Sequence, residues 1–514
     1  MKKIITYITI GWLALGMFSC ADDALETVPT DAMSTETLFA TAEAAMVPLN
    51  GLYRAFYEVL VMTGNTHQCF GLSAYNLMAD VMAEDMIMSA SGSGWFWYDC
   101  IYNVKTRYES TGWRPYDLWR TYYKYIANIN YIIASEETMG GEPSDVNYAI
   151  GQAYALRAYS YFMLIQSFAR TYKGHESDPG VPLYTEPTAA GTAGKPRATV
   201  QEVYTQITAD IDKAVELLGN ASARRHITHV DQSVALGFQA RIASVMEDWA
   251  KAQSAAEAAI TASKKSIGTG ATILSGMNDA LASNVMWGAH IIADQSGMYA
   301  GFFTHMDAEA GYYGATALKQ INKLLYNEMG SKDVRRAWWD PEYSGNGKGG
   351  YQQEKFKFAD VQTWLGDYIW MRVEEMYLTA AEAACQQGND AKAREHLMAL
   401  MSKRDADFKC DNKSGKALGK LTTDLTGSLL EEILIQRRIE LWGEFGRIYD
   451  IRRLRQGFKR TLEMGWPEGA LIPNTATDDP ESYAWVMTIP QVEFDGNKEL
   501  NQAKDQNPVG DYPN

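Results

Sequence analysis

The stretch SLLEEILIQRRIELWGEFGRIYDIRRL, residues 428–454, decides how the rest of this chain is interpreted. On a helix, residues three and four positions apart lie on one face. Two faces are present, a charged one formed by Arg437, Glu440, Glu444 and Arg447 and an apolar one formed by Leu434, Leu441, Ile448 and Ile451. The spacing predicts a helix enclosed on several sides. The carboxylates could form the acid/base pair of an enzyme, but ion-pair networks produce the same pattern, and we interpret the charged face as structural.

The bulk composition is that of a globular protein with a surplus of acidic residues. The chain has 514 residues, of which 46% are hydrophobic and 21% charged, and its formal net charge is −16. This charge argues against binding to nucleic acid or to anionic membrane surfaces, because both attract basic patches. The 30 tyrosines and 14 tryptophans supply flat apolar faces with a polar edge, on which sugar rings and peptides stack.

Residues 1–19 predict a secretory signal peptide. Two lysines precede an apolar run from Ile4 to Phe18, which is too short to span a membrane. The signal ends at Ser19-Cys20, which resembles a lipobox, so we expect lipid attachment at Cys20 and a mature chain covering residues 20–514. The lipid anchor would then be the only contact with the membrane.

The sequence contains no recognised motif for a metal, a cofactor or a catalytic nucleophile. It lacks a CxxC pair, a Walker loop, a GxSxG elbow and an HExxH helix. His226 and His229 have no third ligand and are predicted to be loop residues. Cys69 and Cys100 could form a disulfide or remain separate thiols. We therefore expect no cofactor, no metal and no enzymatic activity.

Helical periodicity organises residues 20–514 as a single domain with a mainly α fold. The part at 20–262 is predicted to be helical, with an early loop-rich excursion at 61–115. Residues 263–364 lose the helical period, include a predicted strand at 285–292 and form an irregular insertion. Residues 365–514 return to helix, beginning with a predicted helix pair at 368–404. Small and aromatic residues alternate on paired helices, which resembles tetratricopeptide repeats that bury a core only by stacking on their neighbours.

Several motifs, in order along the chain, resemble the SusD/RagB family of outer-membrane nutrient-binding lipoproteins. LNGLYRAF, QAYALRAYSYFML and the GVPL turn at 180–183 resemble three of the family's elements, and the end of the chain resembles its PIPxxE and QNPGY motifs at Ile489-Pro490, Glu493 and Gln506-Asn507-Pro508. The opening stretch resembles the family signature ERRxELxxEGxRxxDLRR. Its matching residues are Arg437, Arg438, Glu440, Leu441, Glu444, Arg447, Asp450, Arg452 and Arg453.

The resemblance implies four tetratricopeptide-like helix pairs that form a scaffold, together with a loop-rich, partly β subdomain that binds the ligand. It further implies a lipid-anchored protein at the surface of the outer membrane, which captures a nutrient without catalysis and delivers it to a SusC-like TonB-dependent transporter. An oligo- or polysaccharide is the expected ligand and an oligopeptide is the alternative. A surface glycoside hydrolase, with Asp80, Glu84 and Asp85 as candidate carboxylates, is a further alternative.

Aromatic side chains in the loop-rich parts are the candidate ligand-binding residues. Trp95, Trp97 and Tyr98 follow a run of glycine and serine, and in an extended segment Trp95 and Trp97 would lie on the same side as adjacent platforms. Burial of both tryptophans at the junction of loop and helix is the alternative. The family also takes stacking aromatics from its irregular middle region, which here implies Tyr299 and Tyr313.

Lipid attachment at Cys20 can be tested by metabolic labelling. Cells grown with radiolabelled palmitate should label the wild-type protein and leave Cys20→Ser unlabelled, because the substitution removes the acceptor thiol. Two or more acyl chains give stable anchoring, so the variant should also leave the membrane fraction. Equal labelling of both proteins would contradict the prediction.

Overall fold

The computed structural model describes residues 38–58, 66–89, 95–103, 108–296, 300–344, 350–471 and 476–509. The mainly α class is confirmed. In chain order the helices are α1 Ala42–Ala55, α2 Leu72–Val81, α3 Trp97–Cys100, α4 Trp113–Ala134, α5 Pro143–Phe168, α6 Val200–Gly219, α7 Gln232–Met246, α8 Trp249–Ser263, α9 Ala271–Leu274, α10 Phe302–Met306, α11 Tyr313–Thr316, α12 Lys323–Asn327, α13 Val373–Gln386, α14 Asp390–Met401, α15 Leu429–Glu440, α16 Arg447–Arg453, α17 Gln491–Gly496 and α18 Gln502–Asp505.

The long helices form a continuous row in which each packs against the next. Helix α4 lies on α5, α5 on α6, α6 on α7, α7 on α8, α8 on α13 and α13 on α14. Small residues allow the close approach, since a Cβ atom added to Gly151 in α5 would lie 2.8 Å from Leu218 Cγ in α6. Among the described residues, every helix falls short of the length and apolarity needed to cross a membrane.

The described strands are short, and two of the three sheets they form connect the irregular middle region to the rest of the molecule. They are β1 Met86–Met88, β2 Pro179–Pro182, β3 Arg197–Thr199, β4 Val285–Ala289, β5 Lys319–Ile321, β6 Trp339–Asp340, β7 Gln352–Gln353 and β8 Tyr368–Arg372. The strand predicted at 285–292 is confirmed for residues 285–289, which form β4 and pair antiparallel with β8, and it ends before residue 290. The prediction of helix from residue 368 onward is wrong for residues 368–372, because they pair with β4 instead. A four-stranded sheet has the order β1-β5-β7-β6, so β1 joins the early excursion to the middle region.

The stretch at 428–454 is not a single helix. Helix α15 ends at Glu440, the chain turns through Gly443 and Gly446 with φ angles of 77° and 92°, and α16 begins at Arg447. Residues with a side chain rarely adopt such angles, and a Cβ atom at Gly446 would lie 2.7 Å from the Cβ atom of Ala79. The prediction of one continuous charged face is therefore wrong, because two glycines turn the backbone between its members.

The four charged residues of that face are buried or nearly so, as the structural interpretation requires, but their partners lie on other elements. Glu440 contacts Arg335, Arg372 and Arg404, and Glu444 contacts Arg372 at 2.7 Å and Lys355 at 2.5 Å. The two arginines of the face pair elsewhere, Arg437 with Asp450 at 2.8 Å and Arg447 with Glu84 at 3.0 Å.

Replacing Glu444 by alanine should destabilise the fold without a direct effect on ligand binding. The change leaves the buried Lys355 cation without its carboxylate and removes one of the carboxylates around Arg372, which keeps Glu440, and it should cost about 3 kcal/mol. Urea denaturation should show this loss in Glu444→Ala and little change in Glu395→Ala, whose exposed carboxylate pairs with Lys392 at the surface. Equal stability of Glu444→Ala and the wild type would contradict a structural role.

Asp80 should make the fold less stable as the pH rises towards neutrality. Burial raises the pKa of Asp80 from 3.8 to about 8, so above pH ~4 the unfolded chain must take up a proton at this residue when it folds. The contribution of Asp80 to the free energy of unfolding is therefore greatest below pH ~4, and it declines as the pH rises to about 8. Asp80→Asn keeps an acceptor for the Arg447 N–H, which donates to Asp80 Oδ1 at 2.7 Å, and removes the proton uptake.

Urea denaturation of both proteins at pH 5, 6, 7 and 8 measures this effect. The stability of Asp80→Asn relative to the wild type should increase steadily over this series. A difference that does not change with pH, or that decreases as pH rises, would contradict a protonated Asp80.

Candidate functional site

The candidate ligand site lies where the early excursion meets the irregular middle region. The ladder between β1 and β5 holds the two segments together, with Met86 opposite Ile321 and Met88 opposite Lys319. Three aromatic side chains from both segments meet beside this ladder, and we call them the aromatic corner: His67, Trp95 and Tyr313.

The aromatic corner consists of two parallel rings and one ring at a steep angle to them. The His67 imidazole stacks on the Trp95 indole with ring centroids 4.4 Å apart and an interplanar angle of 11°. The Tyr313 ring lies 5.8 Å from Trp95 at 73°. The Tyr313 hydroxyl and His67 Nδ1 share a hydrogen bond of 2.5 Å. All three side chains are partly exposed, so the rings are accessible from solvent and fixed against one another.

A left-handed residue separates Trp95 from Trp97. Phe96 has φ 71°, its ring is buried, and its N–H donates to Gln68 Oε1 at 2.6 Å. Helix α3 begins directly afterwards, so the segment is not extended. As a result Trp95 remains at the surface, Trp97 enters the core with 6% of its area exposed, and Tyr98 is 56% exposed. The prediction of two adjacent tryptophan platforms is therefore wrong.

A buried ion pair in the protein interior holds the backbone segments that carry the aromatic corner. Arg114, at the start of α4, binds Asp99 of α3 at 2.7 Å and donates to the Gln68 carbonyl at 3.1 Å. Its guanidinium also lies 5.2 Å from the centre of the Phe96 ring. Arg114 thus contacts both segments that carry the partly exposed rings. It binds Gln68, the residue after His67, and it packs on Phe96, the residue after Trp95.

A buried histidine holds the backbone of His67. His305 Nε2 lies 2.5 Å from the His67 carbonyl, and because a carbonyl only accepts, this nitrogen carries the proton. Burial, with the nearby Lys319 cation as a second cause, keeps the pKa of His305 well below its usual value. The imidazole is therefore neutral at physiological pH, and its ring also lies 5.1 Å from Tyr313.

A second aromatic pair lies next to the corner along the chain. Trp364 Nε1 donates to the Tyr312 hydroxyl at 2.7 Å, and the two rings are nearly perpendicular with centroids 5.9 Å apart. Both side chains are partly exposed. Because Tyr312 directly precedes Tyr313, this pair extends the aromatic surface in the middle region.

The structure brings together only some of the residues selected from the sequence. Trp95 and Tyr313 meet, whereas Trp97 is directed into the core. Tyr299 and Cys20 lie outside the described residues. His67 was missed, because a single histidine in a polar loop carries no periodic or motif signal. Its proximity to two glycines and to an aromatic cluster later in the chain was the only available hint.

The carboxylates considered for glycoside hydrolysis are buried ion-pair partners. Asp85 binds Arg438 at 2.6 Å and Glu84 binds Arg447 at 3.0 Å, and both carboxylates are almost inaccessible. With Asp80 also buried, none of the three can reach a sugar.

No group of three His, Cys, Asp or Glu residues in the described ranges is arranged to hold a metal. Cys69 and Cys100 are separate buried thiols.

Comparisons with known proteins agree with this architecture. A family model described as "Starch-binding associating with outer membrane" matches residues 65–243, and one described as "SusD family" matches residues 296–508. SusD-like protein P2 of Formosa agariphila is 23% identical over 97% of this chain and 98% of its own length. SusD-like protein P38 of the same organism is 26% identical over 52% of this chain, and the alignment spans about half of that relative, 48%.

A solved structure shows the same fold over nearly the whole chain. The SusD-like carbohydrate binding protein from Bacteroides vulgatus superposes with a TM-score of 0.75 at 24% identity, covering 93% of this chain and 100% of the other. The first family model covers the N-terminal part of the helical row, and the second covers most of the middle region and the C-terminal helices. The chain belongs to the SusD/RagB family.

Proposed function

We propose that this protein captures a glycan at the cell surface through the aromatic corner. The observation that carries the proposal is the partly exposed side chain of Trp95, stacked on His67 and flanked by Tyr313. Sugar rings have apolar C–H faces, and a rigid aromatic face receives them at little entropic cost. Two of the comparisons support this ligand class. One matching family model is described as "Starch-binding", and the similar Bacteroides vulgatus protein is described as "carbohydrate binding".

The corner also offers polar groups at the edge of its apolar surface. The Tyr313 hydroxyl and the imidazole of His67 lie within hydrogen-bond distance of each other, so either can exchange that bond for one to a sugar hydroxyl. Polar groups of this kind orient a ligand, whereas the stacked ring supplies most of the contact area. This combination is suited to binding without catalysis.

Family membership and the signal peptide predicted at residues 1–19 support a wider role, which we include in the proposal. A lipid at Cys20 would hold the protein at the outer membrane, and a SusC-like TonB-dependent transporter would receive the captured glycan for uptake. The protein would thus act as a non-enzymatic component of a nutrient-import system. Co-purification of the transporter with the tagged lipoprotein from membranes tests this partner.

Replacing Trp95 by alanine should weaken glycan binding with little loss of stability. Stacking on an aromatic face contributes about 1 kcal/mol beyond the area buried, which corresponds to a loss of roughly five- to tenfold in affinity. A screen of the purified protein against glycans and oligopeptides identifies the ligand, and calorimetry then measures the affinity of Trp95→Ala.

Trp97→Ala is the matched control. It also removes a tryptophan side chain, two residues along the chain from Trp95, but Trp97 is buried. It should lower the unfolding free energy by about 3 kcal/mol or more and leave the affinity of the folded protein nearly unchanged. Unchanged glycan affinity in Trp95→Ala would remove the corner from the ligand site. A screen that returned only peptides would overturn the glycan assignment.

A further inference from the structure

A cleft of about 310 Å³ lies on the opposite side of α4 from the aromatic corner. Nine residues separate Arg114, which supports the corner, from Tyr123, which lines the cleft. On an α-helix this is a rotation of half a turn and an axial distance of roughly 14 Å. Residues from α4, from the loop after β2 and from α17 line the cleft, and those that matter here are Tyr123, Ala127, Tyr184, Gly194, Glu493 and Asn497. The volume is at the lower end of the range for small-molecule sites, about 300–1,000 Å³.

The wall formed by the loop after β2 is held in place by side chains of α4. Asn130 Nδ2 donates to the carbonyls of Tyr184 and Glu186 at 2.9 and 3.0 Å. The Tyr131 hydroxyl donates to the Thr188 carbonyl at 2.8 Å. These bonds satisfy the loop backbone from within the protein, so the cleft exists before any ligand arrives.

Glu493 places a negative charge in this cleft. Its carboxylate accepts from Trp119 Nε1 at 3.0 Å and from Asn497 Nδ2 at 2.8 Å, and both of these donors are neutral. No ion pair with Glu493 occurs within the described part of the chain, so no cation of the protein there neutralises this charge by direct contact. A carboxylate accepts about four hydrogen bonds, so two donors leave capacity for a ligand.

Two tyrosine rings face the same charge. Tyr123 and Tyr184 lie 5.9 Å apart at 83° and form adjoining walls. Burial raises the pKa of Tyr184, and the negative charge of Glu493 raises it further. Glu493 also contributes to the raised pKa of Tyr123, after burial and the neighbouring Tyr161. Two protein cations lie near these rings, since Lys195 Nζ is 5.6 Å from the centre of the Tyr184 ring and the charge of Arg197 lowers the pKa of Tyr123. Neither forms an ion pair with Glu493 in the described part of the chain, so the carboxylate of Glu493 is the feature of the cleft that favours a cation.

We propose that this cleft binds an amino sugar through its ammonium group, with Glu493 as the counter-ion and Tyr123 and Tyr184 as the aromatic walls. An ammonium group combines a charge-assisted hydrogen bond to a carboxylate with attraction to aromatic ring faces. The short side chain of Ala127 leaves room for a sugar ring beside it, whereas Gly194 packs directly against Asn497 and completes the wall. The choice of a sugar as the ligand body rests on the proposed function, whereas the requirement for an ammonium group rests on the cleft alone.

Calorimetry with glucosamine, N-acetylglucosamine and glucose tests the proposal on the full mature protein. The three sugars have the same ring, but only glucosamine carries a cation, so the wild type should bind it at least tenfold more tightly than the other two. Glu493→Gln preserves the size of the side chain and an acceptor oxygen but removes the charge, and it should abolish this preference. Asp495→Asn is the matched control, since it neutralises an exposed carboxylate on the same helix and should retain the preference.

A second variant decides the matter if Glu493→Gln proves unstable, which its melting temperature will show. Ala127→Leu leaves Glu493 in place and fills part of the cleft, so it should weaken glucosamine binding at least tenfold. Absence of glucosamine binding by the wild type, equal binding of the three sugars, or full glucosamine affinity in the folded variants would overturn the proposal. Trp95→Ala should bind glucosamine like the wild type, which separates this site from a failure of the aromatic corner.

Discussion

The buried carboxylate of Glu440 meets three arginine side chains that come from three separate segments of the chain. Arg404 follows α14 and lies 2.8 Å from the carboxylate, Arg372 ends β8 and lies at 3.0 Å, and Arg335 belongs to the middle region and lies at 3.3 Å. All four side chains are inaccessible to solvent. Charges buried in this way are tolerated only when each finds its partner, so the cluster permits one arrangement of the segments that carry them.

That constraint explains how a middle region with little regular structure is held on a helical scaffold. Arg372 also binds Glu444, whose other partner, Lys355, lies just after β7. The β7 strand pairs with β5, and β5 pairs with β1 of the early excursion. A continuous set of ion pairs and backbone hydrogen bonds therefore runs from α15 to β1, which belongs to the same early excursion as His67 and Trp95. The rings of the corner are positioned by buried polar contacts beneath them, since they are themselves only partly packed.

Helix α4 contributes residues to two different regions of the protein surface, one on each of its opposite sides. Its first turn supports the aromatic corner through Arg114, while the opposite side carries Tyr123 and the cleft that contains Glu493. Loops attached to a rigid scaffold commonly carry function, and both loop systems of this protein are fixed to the scaffold by side-chain bonds to their backbone. The two proposed sites can therefore differ in ligand while sharing one scaffold.

Local patterns in the sequence determined the helical class, the positions of most long helices, the strand that begins at residue 285 and the family. Those patterns depend on periods of two to four residues and on motif order, which survive without knowledge of distant contacts. The same spacing placed Arg437, Glu440, Glu444 and Arg447 on one face, but it could not reveal that Gly443 and Gly446 break the helix between them.

The site itself was decided by tertiary structure. Trp95 and Trp97 look equivalent in the sequence, and the left-handed backbone at Phe96, held by Gln68 and Arg114, directs one to the surface and the other into the core. His67 meets Tyr313 across 246 residues of chain. No local pattern encodes a contact over that separation, because it depends on where strands β1 and β5 pair. The sequence alone thus determined the scaffold and the kinds of side chain available, and the long-range pairing decided which of them face solvent together.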